Sequence, residues 1–323
     1  MKAAAPVLRS RAAPLLLTGV FMLLLFGIGA MAISGFAARY SIISLLVLGS
    51  LLGMAGGGQT FVIILGGIDL SVPYMIDVAD VVGGQLHGDG WPFWGIVTLL
   101  IGIAIVVGSF NGYVSSRFQV HPLIVTLGTG FAIQGGVLLW SGGLSTGSAP
   151  SWLASAVSVG STSGFLPVPP VLLVWAVVAV VLIVTLRRTT FGREVYALGS
   201  NPTAARLALV RPNLIWASAF TVSTLCATVV GLLLLGFTGS VYGDVGSNYL
   251  FLSIGAVVVG GTSLLGGSGG YAGTIMGALI LTELQTILIG LGLSEAALET
   301  VLGALVIAVV AVTGRQSSLG SRI

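Results

Sequence analysis

Residues 187–212 read RRTTFGREVYALGSNPTAARLALVRP, a polar stretch set between two strongly apolar blocks. It holds five of the chain's twelve Lys and Arg residues: Arg187, Arg188, Arg193, Arg206 and Arg211. Loops rich in basic residues that flank membrane segments stay on the cytoplasmic side, so this stretch is expected to face the cytosol. Within it, residues 202–209 read as a short helix. Asn201 is placed to act as its N-cap, and Pro202 falls at the first helical position.

The blocks on either side follow from composition. Of 323 residues, 56% are apolar and 7% charged, which is far from the balance of a soluble domain. Many windows of about 20 residues carry no charge, as spanning helices require. The fold class is therefore an all-α polytopic membrane protein. A net charge of +3 reflects membrane-flanking arginines; no basic stripe with interleaved aromatics offers itself to nucleic acid. The single cysteine, Cys226, excludes a disulfide framework and a cysteine metal site, and His87 and His121 form no metal-ligand pattern. Lys2 is the only lysine, so no phosphate-binding loop with its lysine exists. Any ATP chemistry must come from another polypeptide.

Taken in order, Lys2, Arg9 and Arg11 precede an apolar run over 15–33 that contains Ala30-Met31-Ala32, similar to a signal-peptidase site. The run exceeds the roughly 7–15 residues of a secretory signal, and it is read as a retained first helix. The second span, 42–65, is rich in small residues, Gly56-Gly57-Gly58 among them, which suits close helix packing. Gln59 interrupts it and needs a partner or a wet cavity at membrane depth. Gly66 and Gly67 then permit a sharp turn, after which Asp69 or Ser71 can cap the next helix.

Asp77 and Asp80 follow on one face of the third span, three residues apart. Two carboxylates in a membrane helix call for a cavity or a partner. Two readings stand: they bind hydroxyls along a substrate path, or they pair with Arg and polar groups at a subunit interface. Asn111 in the fourth span and Gln134 in the fifth are further polar positions. With Gln59, Asp69, Asp77 and Asp80 they make up the candidate path residues.

His121-Pro122 opens the fifth span, His121 being a cap or interfacial group. Residues 141–170 turn to Gly, Ser, Thr and Pro without charge and read as an external loop, with a short amphipathic helix over 152–159. Past the polar stretch come a span over 214–237, an external turn with Tyr242, Asp244 and Asn248, and a glycine-dense passage. That passage contains Gly260, Gly261, Gly266 and Gly267. Glycine breaks at membrane depth are tolerated where they line a cavity or are covered by protein. Glu283 falls inside the ninth span and Glu295 and Glu299 in an outer loop. Ten spans with both termini inside place eleven of the twelve Lys and Arg on the cytosolic side, Arg39 alone falling outside. Residues 249–270 are the stretch where re-entry would shift the count by one. The organisation is then a cytoplasmic segment 1–14, one membrane domain 15–314 and a cytoplasmic tail 315–323.

Four ordered patches between about residues 42 and 312 resemble ribose-type ABC transporter permeases. Gly66-Gly67-Ile68-Asp69-Leu70-Ser71-Val72-Pro73 is similar to the family's GGIDLSVG signature, with Pro73 in place of the usual glycine. His121-Pro122 with Thr126-Leu127-Gly128 is similar to its proline-plus-TLG segment, and the passage from Val257 to Gly277 to its second signature. Phe191-Gly192-Arg193-Glu194-Val195-Tyr196-Ala197-Leu198-Gly199-Ser200-Asn201-Pro202 with Ala204-Ala205-Arg206 resembles its coupling loop, and Leu209 stands where the family usually has glycine. The family's usual pattern has small or apolar residues at the positions of Asp77 and Asp80, so no role carries over to them.

The resemblance implies a type II ABC importer permease subunit in a bacterial inner membrane, without an ATPase site of its own. It implies that Phe191, Gly192, Arg193, Glu194, Ala197, Gly199, Asn201, Ala204 and Ala205 contact separate ATPase subunits, which use ATP and Mg. It further implies a periplasmic binding protein that delivers a monosaccharide, and a second permease, identical or related. Gly66, Gly67, Gly260, Gly261, Gly266 and Gly267 become helix-break or gate glycines. Rival readings are the same superfamily with another cargo (branched-chain amino acid, nucleoside, autoinducer) and an ion-coupled secondary transporter using the buried carboxylates. Branched-chain amino acid permeases lack the GGIDLS signature. An intramembrane enzyme would need a nucleophile and base, or a metal cluster, and none can be assembled.

Overall fold

The computed structural model describes residues 13–144, 146–294, 296–305 and 307. Lys2, Arg9, Arg11, Glu295, the expected end of the last span near Gly314 and the tail 315–323 lie outside the described residues.

The described residues form, in order, α1 (Ala13–Ala32), α2 (Arg39–Ile64), α3 (Val72–Gly88), α4 (Phe93–Phe118), α5 (Pro122–Ser141), α6 (Ser151–Val157), α7 (Pro170–Arg188), α8 (Thr190–Ser200), α9 (Pro202–Leu207), α10 (Pro212–Thr238), α11 (Tyr249–Val259) and α12 (Tyr271–Gly290), followed by a shorter apolar helix at Ala296–Leu305. Among the described residues the only β contacts are isolated bridges at Ser148 with Ser240 and Ser163 with Leu166. Among the described residues six helices, α2, α4, α5, α7, α10 and α12, are long and apolar enough to cross a membrane. Shorter apolar helices lie at Leu16–Ala32, Tyr249–Val259 and Ala296–Leu305.

The long helices sort by burial as their side chains predict. α2 and α10 are mostly enclosed, whereas α5 and α7 are mostly exposed. α10 packs along α4, α2 and α3, and α12 packs along α2. Backbones come close where a side chain is missing: a Cβ on Gly112 of α4 would run into the Trp216 backbone of α10. Apolar side chains around Val47, Leu51, Met75, Ala104 and Val230 fill the space between these helices. The remaining outer faces of α5 and α7 are apolar without being packed, which suits contact with lipid tails.

Two segments differ from a plain run of spans. α11 has 11 residues, about 16 Å of helix against a hydrocarbon core of about 30 Å, and irregular backbone flanks it at 239–248 and 260–270. The polar stretch holds two helices rather than one, because α8 precedes α9. Residues 151–157 do form a short helix. It lies against α10, with Leu153 and Val157 buried and the Trp152 ring edge-on to Phe93 at 4.8 Å.

Candidate functional site

Charged residues are few in this chain, 7% of the total, and polar groups cluster at three levels of the structure. The first is set by the break between α10 and α11. Residues 239–248 have no helical ladder of their own, and they run back along α3. Gly246 lies so close to the Pro73 carbonyl that no Cβ could fit. Its N–H donates to Oδ1 of Asp77 at 2.7 Å, and the N–H of Tyr242 donates to Oδ2 of Asp80 at 2.8 Å. Unpaired backbone N–H groups within a bilayer are costly, and charge-assisted bonds to carboxylates are among the stronger ways to satisfy them. The partners that the sequence demanded for the two aspartates are therefore backbone amides of the same chain. Sequence reasoning missed Gly246 and Tyr242; the unexplained acids were the clue that donors lay somewhere. Asp80 is fully buried, and its Oδ1 lacks a hydrogen-bond partner.

Asp77 is 9% exposed and opens onto a cleft of about 410 Å³ at the end of the bundle away from α8 and α9. Tyr74, Asp77, Gln134, Ser141, Tyr242 and Asp244 supply its polar lining. Two of the candidate path residues, Asp77 and Gln134, thus come together here from α3 and α5.

At the second level, Gln59, Asp69 and Asn111 form an enclosed lock around the 65–71 turn. The Gln59 amide donates to the Asp69 carbonyl at 2.6 Å and its oxygen accepts the Asp69 N–H at 3.2 Å. Asp69 Oδ1 accepts the N–H of Ser71 at 2.9 Å and also its hydroxyl. Asn111 donates to Ser71 Oγ at 3.0 Å, and the Thr129 hydroxyl donates to Asn111 Oδ1 at 2.7 Å. The chain of bonds ties α2, α4 and α5 to the turn. All three candidates are fully buried, and none lines the cleft. Neither expected cap of α3 operates: Ser71 stands at the N-cap position, but its hydroxyl bonds Asp69 and Asn111 rather than a backbone N–H of the first turn, and Asp69 braces the turn before it. Asp69 Oδ2, the nearby Ser223 Oγ and, in α12, Glu283 Oε2 are buried without hydrogen-bond partners.

The third level joins the glycine turns to α8. Gly66, Gly266 and Gly267 hold φ of 84°, 83° and 74°, a region that side chains disfavour. This lets the Gly267 N–H reach the Ile64 carbonyl at 2.8 Å. Gly199 of α8 sits directly against that carbonyl, leaving no room for a Cβ. The Tyr196 hydroxyl donates to the Gly269 carbonyl at 2.8 Å; burial pushes its phenol up, against a smaller opposing effect of Arg187. Gly66, Gly67, Gly260 and Gly261 belong to the same two turns, at 65–71 and 260–270.

Local capping explains α8 and α9. Thr189 Oγ1 accepts the Gly192 N–H at 3.1 Å, and Asn201 Oδ1 accepts the Ala204 N–H at 3.0 Å. In α8, Val195 and Leu198 are buried, as is Ala205 in α9. Phe191 stacks on Phe61 at 5.9 Å. Of the expected coupling residues, Arg193, Ala197, Asn201 and Ala204 are therefore exposed, Glu194 is half-buried, and Phe191, Gly192, Gly199 and Ala205 face the bundle. Leu207 and Leu209 are 81% and 88% exposed. Leu209 adopts φ 62°, the conformation that the glycine usual in the family would take without strain.

A bundle of long apolar helices with buried polar locks, a short apolar helix flanked by irregular backbone and a partly exposed basic helix pair is the architecture of a multi-pass membrane protein. Residues 41–310 match the family described as the branched-chain amino acid transport system / permease component, and the chain belongs to that family. It is 34% identical to the autoinducer 2 import system permease of Klebsiella pneumoniae over 80% of this chain and 78% of that protein. It is 32% identical to the ribose import permease of Haemophilus influenzae over 72% of each. Against the fructose import permease of Rhizobium meliloti the identity is 34%, over 76% of this chain and 70% of that one. No solved structure matches it. The resemblance read from the four patches holds at the level of the family, and the chain is a multi-pass inner-membrane protein. The family's description and the three relatives name different solutes, so membership leaves the solute to be argued separately.

Proposed function

We propose that this chain is the transmembrane permease subunit of a bacterial ABC importer for a monosaccharide, delivered by a periplasmic binding protein and driven by separate ATPase subunits that hold ATP and Mg. The observation that carries the reading is the pair Leu207 and Leu209. They are almost fully exposed at an arginine-rich end of the molecule, where an apolar surface calls for a protein partner rather than lipid. In this reading α8 and α9 dock into the ATPase subunit, and a second permease completes the path.

In this reading α8 and α9 lie in the cytosol and the cleft lies on the outer side. The chain crosses ten times: the six long helices, α1, α3, the α11 segment with its irregular flanks, and the helix at Ala296–Leu305. Autoinducer 2 is the second reading for the cargo, supported by the Klebsiella relative at the same identity as the fructose permease. Uptake of labelled ribose, fructose and autoinducer 2 into cells with and without this chain separates the two. Import that stops on ATP depletion and persists when an uncoupler collapses the proton gradient is expected. Import that follows the proton gradient at constant ATP refutes the ABC reading and favours a secondary transporter.

A further inference from the structure

The cleft at the outer end has an asymmetry in its lining. Its charged side chains, Asp77 and Asp244, are both acidic, and among the described residues no Lys, Arg or His joins them. Apolar walls, Val81, Val137 and Leu138 among them, exclude high-dielectric water from the sides, which focuses the field of charges inside a cleft. Asp77 uses one oxygen to hold the Gly246 N–H. Among the described residues nothing hydrogen-bonds the other oxygen, and the residue borders the cleft. A carboxylate is acceptor-only, so this oxygen suits the donor hydroxyl of a sugar or an ammonium group, and it repels a phosphate or carboxylate. Gln134, Tyr74 and Tyr242 add an amide, two hydroxyls and two aromatic rings.

We propose that the cleft is a charge-selective solute vestibule that admits neutral polyhydroxylated and cationic solutes and turns away anionic ones, with Asp77 as its specificity-determining residue. The identity of what passes rests on the import reading; the charge preference does not. In that setting the vestibule makes the importer take free sugars and reject their phosphorylated or carboxylated forms, even when a delivery protein would bind them.

The test uses the full chain in lipid nanodiscs with Cys226→Ala, which removes the only cysteine, and Gln134→Cys as a reporter in the cleft. Three thiosulfonate reagents of similar size, trimethylammonium, neutral and sulfonate, are reacted with it, and each rate is normalised to that of a small free thiol. The cationic reagent is expected to react about tenfold or more faster than the anionic one, as field focusing in a cleft produces. Asp77→Asn keeps an oxygen to accept the Gly246 N–H and is expected to lower that ratio about threefold or more, with the neutral reagent unaffected. Asp244→Asn, on the exposed rim, is expected to lower it less. Equal normalised rates, a ratio unmoved by both substitutions, or a thiol that none of the reagents reaches would overturn the proposal. The readout needs neither ATP nor a partner, so a failure to capture an ATPase subunit refutes the import reading while the vestibule stands on its own result.

Discussion

The N–H of Gly246 donates to the Asp77 carboxylate at 2.7 Å across 169 residues of sequence. With the companion bond from Tyr242 to Asp80, it holds the unwound backbone between α10 and α11 against α3. Two backbone N–H groups of the α10–α11 connection are therefore paired without a helix.

This relationship predicts a contrast between two substitutions. Asp77→Ala leaves the Gly246 N–H buried and unpaired and should destabilise the protein by about 1–3 kcal/mol. Asp77→Asn retains an acceptor and should stay close to the parent. Thermal unfolding in detergent, followed by the exposure of a reporter thiol, checks this; equal losses for Ala and Asn would mean that the charge, not the bond, matters.

Gln59→Leu tests the inner lock. It removes both partners of the Asp69 backbone, and a loss of about 1–3 kcal/mol is expected. A variant that unfolds like the parent but no longer imports solute would instead make Gln59 a solute contact.

Gly199→Ala places a methyl group on the Ile64 carbonyl. Overpacking of this kind costs about 1–3 kcal/mol, and here it also pries α8 away from both glycine turns. Capture of the ATPase subunit should persist while solute uptake falls steeply, because docking and transmission are separated. Unchanged uptake would show that the α8 junction carries no motion.

Leu209→Gly should do the opposite. Relief of the left-handed conformation at an exposed site is expected to stabilise the α9 segment by about 1 kcal/mol. Amide hydrogen exchange across 202–212 is the measurement, and faster exchange in the variant would count against the strain.

How much of this was legible depended on range. Asn201 and Pro202 announced the start of α9 because capping is decided within three residues. The glycine pairs announced turns, since a left-handed φ leaves few other choices. α8 was missed although Thr189 and the buried spacing of Val195 and Leu198 were there to be read, because five arginines made the stretch look like a loop. Asp77 and Asp80 were recognised as anomalous, yet their donors, Gly246 and Tyr242, lie in another part of the chain and are backbone groups, which carry no mark in sequence. Gln59, Asp69 and Asn111 read as path residues for the same reason Asp77 did. Only packing separates polar groups that close on one another from those that open onto a cleft.

In the proposed importer α8 and α9 form the docking surface for an ATPase subunit. The most direct measurement is crosslinking from Ala197→Cys in the Cys226→Ala chain, expressed in its own cell, followed by purification and identification of what is attached. Ala197 and Ala204 are both exposed on the same helix pair, so Ala204→Glu serves as the disrupting partner without disturbing the core that Ala205 helps to fill. Capture of an ATP-binding subunit that is lost on Ala204→Glu is expected. Absence of any ATP-binding partner from a chain that still imports solute in ATP-depleted cells would contradict it.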